Sequence, residues 1–312
     1  MPDHISTGRA YYPMTKPVIS SSPVRRSNSL LGIGLMLSAM FSFAAGDAIA
    51  KILTTDFHPV QIIWFRQIGL FIGVCIIIAV RGLSVLRTNR PALQMSRGAL
   101  VIVSSVLFVY AIRYVPLADA VAASFVAPFF VTIFGAWILG EKVGVRRWSA
   151  VIVGFIGALI IIRPGMGVIH PTVLLVVIAA GFFAARQVMG RLLADKDKTV
   201  TTVAYTAITA SLVVSIPLPF VWVTPTFGVI WIYLFVLAFS GAFGEILIIK
   251  SLEVAEAAAV APFHYTIIIW GTLYGYLIFQ ELPDQWTLVG TVIIVAAGLY
   301  TLRRGRLKYP TQ

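Results

Sequence analysis

The stretch FAAGDAIAKIL, at residues 43–53, recurs 140 residues later as FAARQVMGRLL, at residues 183–193. A second match keeps the same spacing, because Glu141 of the first half corresponds to Glu281 of the second. Both copies of the stretch lie in long apolar segments. The sequence therefore predicts two halves that share one structural plan.

The composition places this chain in a lipid bilayer. Of its 312 residues 59% are apolar and 12% are charged, and the mean hydropathy is +0.93, far from the balance of a soluble domain. Helices of roughly 17 to 25 apolar residues cross the hydrocarbon core. Candidate spans lie near residues 30–53, 58–80, 97–115, 117–139, 147–164, 171–190, 200–223, 227–250, 254–279 and 286–303.

Ten spans in two halves fix the expected architecture. Backbone polar groups in lipid must be satisfied internally, and the segments are too long and too uniformly apolar for barrel strands. Each half holds an odd number of spans, so the second half enters the bilayer upside down. We therefore predict an all-α polytopic membrane protein of ten transmembrane helices in two inverted five-helix repeats, a plan that is typical of alternating access.

The repeats and the tails are delimited by composition. We expect a disordered cytoplasmic tail at 1–28, a first repeat at 29–164, a second repeat at 165–304 and a cytoplasmic tail at 305–312. The boundary between the repeats is a turn-forming run rich in Gly and Pro. Four prolines inside spans are expected to bend their helices: Pro128, Pro217, Pro219 and Pro262.

The basic residues predict the orientation. The net charge is +12, and 19 of the 24 Lys and Arg residues, Arg97 among them, fall in segments on one side of the predicted topology. The positive-inside rule then places both termini in the cytoplasm, and we expect a bacterial cytoplasmic (inner) membrane. Because the charge is spread over loops, no nucleic-acid partner is predicted. The single cysteine, Cys75, excludes an intrachain disulfide.

Polar side chains within the spans are the candidate binding residues. A charge at the centre of a span costs about 2.5 to 3.5 kcal/mol, so each one needs a compensating role. Asp47 either pairs with Lys51, one helical turn away, or lines a cavity; Glu245 is the stronger candidate carboxylate for a solute or a proton. The candidate cavity residues are Asp47, Arg66, Gln67, Tyr110, Arg186, Gln187, Glu245, His264, Tyr265 and Trp270.

Several of these residues have simpler interpretations. Arg66 and Arg186 could extend to the interface, and His264 could be a packed polar residue or a proton switch. Glu141 and Glu281 end spans at water, where a structural role as a turn or helix-start acceptor is expected. No nucleotide-binding loop, zinc-protease motif or nucleophile elbow occurs, and the four histidines are scattered. We predict no catalytic residues, no metal site and no cofactor.

The chain resembles the drug/metabolite transporter superfamily, and within it the EamA-type transporters with ten spans. The resemblance covers residues 30–303. Its matching segments are VPLADA at 115–120, LGEK at 139–142, RPG at 163–165, APFHY at 261–265 and FQE at 279–281. It implies secondary transport of a small organic solute through a cavity between the halves. Relatives often carry an acidic residue where this chain has His264.

The identity of the solute is not fixed by the resemblance. Members carry amino acids, S-adenosylmethionine, vitamins including riboflavin, and drugs, in either direction. Aromatic residues in the cavity spans suit a flat heteroaromatic solute, so riboflavin uptake is the leading expectation, followed by S-adenosylmethionine or an amino acid. The expected partners are this solute, the lipid bilayer, protons and a second copy of the chain. A passive channel and an intramembrane enzyme are the alternative classes.

Overall fold

The computed structural model describes residues 28–141, 143–163, 170–194 and 197–308. Within these residues the fold is all-helical, which confirms the predicted fold class. Most of the predicted tail at 1–28, the turn at 164–169 and the last four residues lie outside the described residues.

The first half contains five membrane crossings. They are formed by α1 (Ser29–Leu53), α2 (Pro59–Arg81), α3 (Pro91–Ile112), the broken pair α4 (Leu117–Ser124) and α5 (Ala127–Ile138), and α6 (Val145–Ile162). A short 3-10 helix (Leu83–Leu86) connects α2 to α3. The helices begin with recognisable signals, since the Asn28 side chain caps α1 and a proline opens both α2 and α3.

The second half repeats this order. Its crossings are α7 (Val173–Ala194), α8 (Thr199–Ser215) with α9 (Leu218–Val221), α10 (Val229–Val254), the broken segment α11 (Ala257–Val260), a 3-10 helix (Ala261–Tyr265) and α12 (Thr266–Phe279), and finally α13 (Gln285–Lys308). All ten predicted spans correspond to helical segments. Seven of the segments are long and apolar enough to cross a membrane by length and composition.

The prolines lie where helices break. Pro128 stands in the first turn of α5, Pro217 and Pro219 lie at the junction of α8 and α9, and Pro262 lies in the 3-10 segment. A proline lacks the N–H that a continuing helix needs, so an interruption follows. The fourth and ninth crossings are consequently discontinuous within the membrane, as is common at transporter binding sites.

The packing of the helices follows a two-fold plan. In the first half α1 packs on α10 and α12, and its counterpart α7 packs on α3 and α5. The contacts of α2 with α10 and of α3 with α8 form another matched pair, and α6 packs on its own counterpart, α13. Each half therefore completes its packing with helices of the other half. We call the side on which α1 begins and α13 ends the proximal face, and the opposite side the distal face.

Candidate functional site

Two packed helix pairs form the middle of the bundle, and we call the region between α7 and α10 the gap. Helices α1 and α10 form one pair, and α3 and α7 form the other. Among the described residues, no extensive contact joins α7 to α10. Most of the candidate polar residues lie on these helices or on α2, which packs on α10.

An ion pair lies at the distal side of this gap. The Arg66 guanidinium donates to the Asp47 carboxylate at 2.8 Å, and the two side chains are only 19% and 11% exposed. Arg66 lies against α10, where a Cβ added to Gly241 would be 3.6 Å from its Nε atom. Asp47 therefore pairs with Arg66, and Lys51, the partner considered from the sequence, makes a different contact.

Three charged residues come together on the proximal side of the gap. Arg97 of α3 and Arg186 of α7 both interact electrostatically with the Glu245 carboxylate of α10. Arg97 donates to the Thr206 hydroxyl at 2.5 Å and passes close to Gly190, one turn beyond Arg186. The basic-residue pattern had placed Arg97 at the cytoplasmic end of a span. The helix α3 begins six residues earlier, at Pro91, so Arg97 lies within this helix and not at its start.

Arg97 and three of the candidate cavity residues each have a buried donor atom with no hydrogen-bond partner in the described part of the chain. These atoms are Gln67 Nε2, Arg97 Nε, Arg186 Nε and Trp270 Nε1. An unsatisfied buried polar group costs about 1 to 3 kcal/mol, and more when it is charged. Arg97 and Arg186 therefore each carry a buried N–H that has no acceptor among the described residues.

The other candidate cavity residues are distributed more widely. Gln187, Glu245 and His264 are exposed. Tyr265 stacks on Phe125 with ring centroids 4.8 Å apart, which joins the breaks of the fourth and ninth crossings. Tyr110 contacts Tyr114 near the distal end of α3, about 20 Å along the helix from Arg97 at 1.5 Å per residue.

Two further ion pairs occupy corresponding positions at the opposite faces. At the distal face Lys51 donates to Glu281 at 2.5 Å, and at the proximal face Arg191 donates to Glu141 at 3.0 Å. The two pairs are related by the repeat, because Lys51 corresponds to Arg191 and Glu141 corresponds to Glu281 at the same spacing of 140 residues. From the sequence, the two glutamates were expected only to end helices. Their partners could have been predicted, because the basic residue of each pair and the glutamate both recur at the same spacing.

The glutamates are positioned by matching helix ends. The backbone N–H of Glu141 donates to the carbonyl of Gly135 at 3.2 Å, and that of Glu281 donates to Gly275 at 3.0 Å. The residue before each glutamate has a left-handed conformation, with φ of 66° and 57°. This closure is the Schellman arrangement, and it points both carboxylates at a helix of the other repeat.

The two face pairs differ in burial. The side chains of Lys51 and Glu281 are 9% and 33% exposed, whereas those of Arg191 and Glu141 are 50% and 36% exposed. Lys51 also donates to the Val115 carbonyl at 3.2 Å, and its ammonium lies 4.7 Å from the centre of the Phe279 ring. The distal pair is thus enclosed by protein, and the proximal pair lies largely in solvent.

A separate charged contact at the distal face joins α6 to α13. Arg163, which ends α6, forms an ion pair with Asp284, and Asp284 caps α13 by accepting from the Thr287 N–H at 2.8 Å. Burial acts to raise the pKa of Asp284, but the hydrogen bond from Thr287 and the Arg163 guanidinium outweigh it. The pKa of Asp284 is therefore held below its ordinary value.

The fold and the polar gap define a polytopic membrane transporter built from two repeats. The chain belongs to the EamA-like transporter family, whose pattern matches it twice, over residues 30–163 and 170–303. This result confirms the resemblance found in the sequence. Membership identifies a transporter of small organic solutes.

Curated relatives span nearly the whole chain. An S-adenosylmethionine uptake transporter of Rickettsia bellii is 32% identical over 87% of this chain and 93% of its own length. A pseudopaline exporter of Pseudomonas aeruginosa is 29% identical over 85% and 94%. A riboflavin transporter of Vibrio cholerae is 30% identical over 86% and 92%. A solved crystal structure shares the fold, with a TM-score of 0.60, 18% identity and coverage of 89% of this chain and 99% of its own.

Proposed function

We propose that the protein is a secondary transporter that takes up S-adenosylmethionine by alternating access. The observation that carries the mechanism is the presence of one repeat-related ion pair at each face of two interlocked repeats. Opening the distal face separates the end of α1 from the end of α12, and opening the proximal face separates α7 from α5. Each motion breaks one of the two pairs and leaves the other intact.

The choice of solute rests on the relatives and on the polarity of the gap. S-adenosylmethionine uptake transporters from four Rickettsia species match this chain at 30 to 32% identity. The sequence-based preference for riboflavin has support from relatives of 30% identity, but riboflavin offers no ionised group to the two guanidiniums and the carboxylate on the proximal side of the gap. S-adenosylmethionine, the second expectation from the sequence, offers a carboxylate and two cationic centres together with a flat base.

Uptake into proteoliposomes tests this function. Labelled S-adenosylmethionine should accumulate saturably, and excess unlabelled S-adenosylmethionine should abolish the signal, while riboflavin should not compete. Imposed pH and voltage gradients will show whether protons or membrane potential drive the uptake. Uptake of labelled riboflavin without uptake of S-adenosylmethionine would overturn the choice of solute. Non-saturable flux would indicate a channel, and a chemically altered product would indicate an enzyme.

The orientation proposed here places both termini in the cytoplasm of a bacterial cell, so that the proximal face is cytoplasmic. Tags on the two ends provide the test. Both should be protected from protease in intact cells and cleaved after permeabilisation, and exposure of either tag in intact cells would contradict this orientation.

A further inference from the structure

The strongest unexplained feature of the gap is the position of Arg186. It lies eight residues before the end of a 22-residue membrane helix, and among the described residues it forms no ion pair and no hydrogen bond. Its guanidinium carbon lies 4.8 Å from the centre of the Phe183 ring. A charge within the hydrocarbon region normally has a partner.

The nearest carboxylate does not fill this role. Glu245 interacts electrostatically with Arg186, yet the two side chains form no ion pair, because their charged atoms are more than 4.0 Å apart. The helices that carry them, α7 and α10, have no extensive contact in the described part of the protein. The two groups therefore interact electrostatically without direct contact.

The balance of charge around Arg186 favours a ligand that brings an anion. Arg66 is already neutralised by Asp47, which leaves Arg97 and Arg186 against a single carboxylate. Both of these guanidiniums have a buried Nε–H without an acceptor. A carboxylate can accept two hydrogen bonds from a guanidinium in a fixed geometry, which makes it a suitable acceptor for such a group.

We propose that Arg186, supported by Arg97, binds the carboxylate of the transported solute and that Glu245 binds a neighbouring cationic group of the same solute. The ligand class is an α-amino acid head group, in which a carboxylate and an ammonium share one carbon. This inference rests on the proposed function. It concerns only the carboxylate and the ammonium of the solute, so it does not depend on which side group the amino acid carries. It makes Arg186 and Glu245 the residues that determine specificity.

The test compares solutes that differ only in the carboxylate. Binding is measured with purified full-length protein in detergent, using S-adenosylmethionine and its decarboxylated form, and then methionine and its decarboxylated amine. The wild type should bind the carboxylated member of each bound pair at least about tenfold more tightly, the lower range for a hydrogen bond to a charged group. Arg186→Gln should abolish this preference, and Arg186→Lys should retain part of it.

The matched control is Arg147→Gln, which removes a guanidinium from the exposed start of α6 and should leave the preference unchanged. Glu245→Gln should weaken binding of both members of a pair, because both carry the ammonium. Retention of the full carboxylate preference in Arg186→Gln would overturn the proposal, as would equal binding of both members by the wild type. A different result would separate the two proposals. If methionine shows the Arg186-dependent preference and S-adenosylmethionine does not bind, Arg186 recognises the carboxylate, but S-adenosylmethionine is not the transported solute.

Discussion

Removal of the distal carboxylate should shift the protein towards a state that is open at the distal face. In Glu281→Gln the Lys51 ammonium, whose side chain is 9% exposed, loses its ion partner and keeps the Val115 carbonyl at 3.2 Å and the Phe279 ring at 4.7 Å. The cost of breaking a fully buried pair is about 3 to 5 kcal/mol. Because Glu281 is 33% exposed, we reduce this to about 2 kcal/mol, a shift of about thirtyfold in the open-to-closed ratio.

The proximal pair provides the matched comparison. Arg191 and Glu141 are 50% and 36% exposed, and an ion pair with that exposure contributes at most about 1 kcal/mol. Glu141→Gln should therefore change the equilibrium by no more than about fivefold, and in the opposite direction, since it weakens the closure of the proximal face. The exposed Lys250–Glu253 pair lies within one helix, so Glu253→Gln should have no effect.

Distances between spin labels measure this shift. Labels at Thr55→Cys and Leu282→Cys, both exposed at the distal face, report its opening in a background that carries Cys75→Ser. The distribution of distances should gain a longer component in Glu281→Gln, and the double exchange Lys51→Glu with Glu281→Lys should restore the shorter one. An unchanged distribution in Glu281→Gln, or an equal response to Glu141→Gln at this face, would refute the assignment of the pair as a distal gate.

Three further predictions concern stability and transport. Asp47→Asn should abolish uptake and lower the thermal unfolding temperature by leaving the partly buried Arg66 unpaired, and Arg66→Gln in the same chain should restore the temperature without restoring uptake. Asp284→Ala should reduce stability by about 1 kcal/mol at neutral pH through loss of a helix cap. The pKa of Asp284 is lower in the folded protein than in the unfolded chain, so this stabilisation is fully present above the ordinary pKa of Asp284. It is lost as the pH falls through the pKa in the folded protein. The melting curves of the wild type and of Asp284→Ala should therefore converge in acid. Gly69→Ala places a Cβ 1.9 Å from the Ala238 carbonyl oxygen and should destabilise the bundle by about 1 to 3 kcal/mol. Gly73→Ala, whose Cβ meets no atom within 4 Å, is the control and should be neutral. Thermal unfolding of both variants provides the comparison.

The crossings were predictable because their signal is local. A long apolar segment must be helical in lipid whatever surrounds it, and the ten segments read from the sequence all appear. The interruptions were predictable for the same reason, since Pro128 and Pro262 remove backbone donors at known positions. The repeat was also visible, because the spacing between Glu141 and Glu281 is a property of the chain alone.

The contacts of the charged residues were not predictable from local signals. Asp47 has a basic residue one turn away, yet it pairs with Arg66 of the next helix, and Lys51 reaches Glu281, 230 residues later. These choices depend on which helices pack together. Arg97 was missed because a basic residue near the start of a span is also what the positive-inside rule expects in a loop, and only the true start of α3 separates the two interpretations.

The unequal burial of the two face pairs has a consequence for how a solute drives the transport cycle. The Lys51–Glu281 pair is the more buried of the two, so the protein without solute favours the state that is closed at the distal face. A solute that enters from the distal side must therefore compensate for breaking the Lys51–Glu281 contact. A ligand shifts such an equilibrium only through a difference in its affinity for the two states. The unsatisfied guanidiniums of Arg97 and Arg186 can supply this difference if the solute carboxylate meets both of them only after the distal face has closed. Recognition of charge at the centre would then determine closure at the face, and a solute without a carboxylate would bind weakly and also fail to advance the cycle.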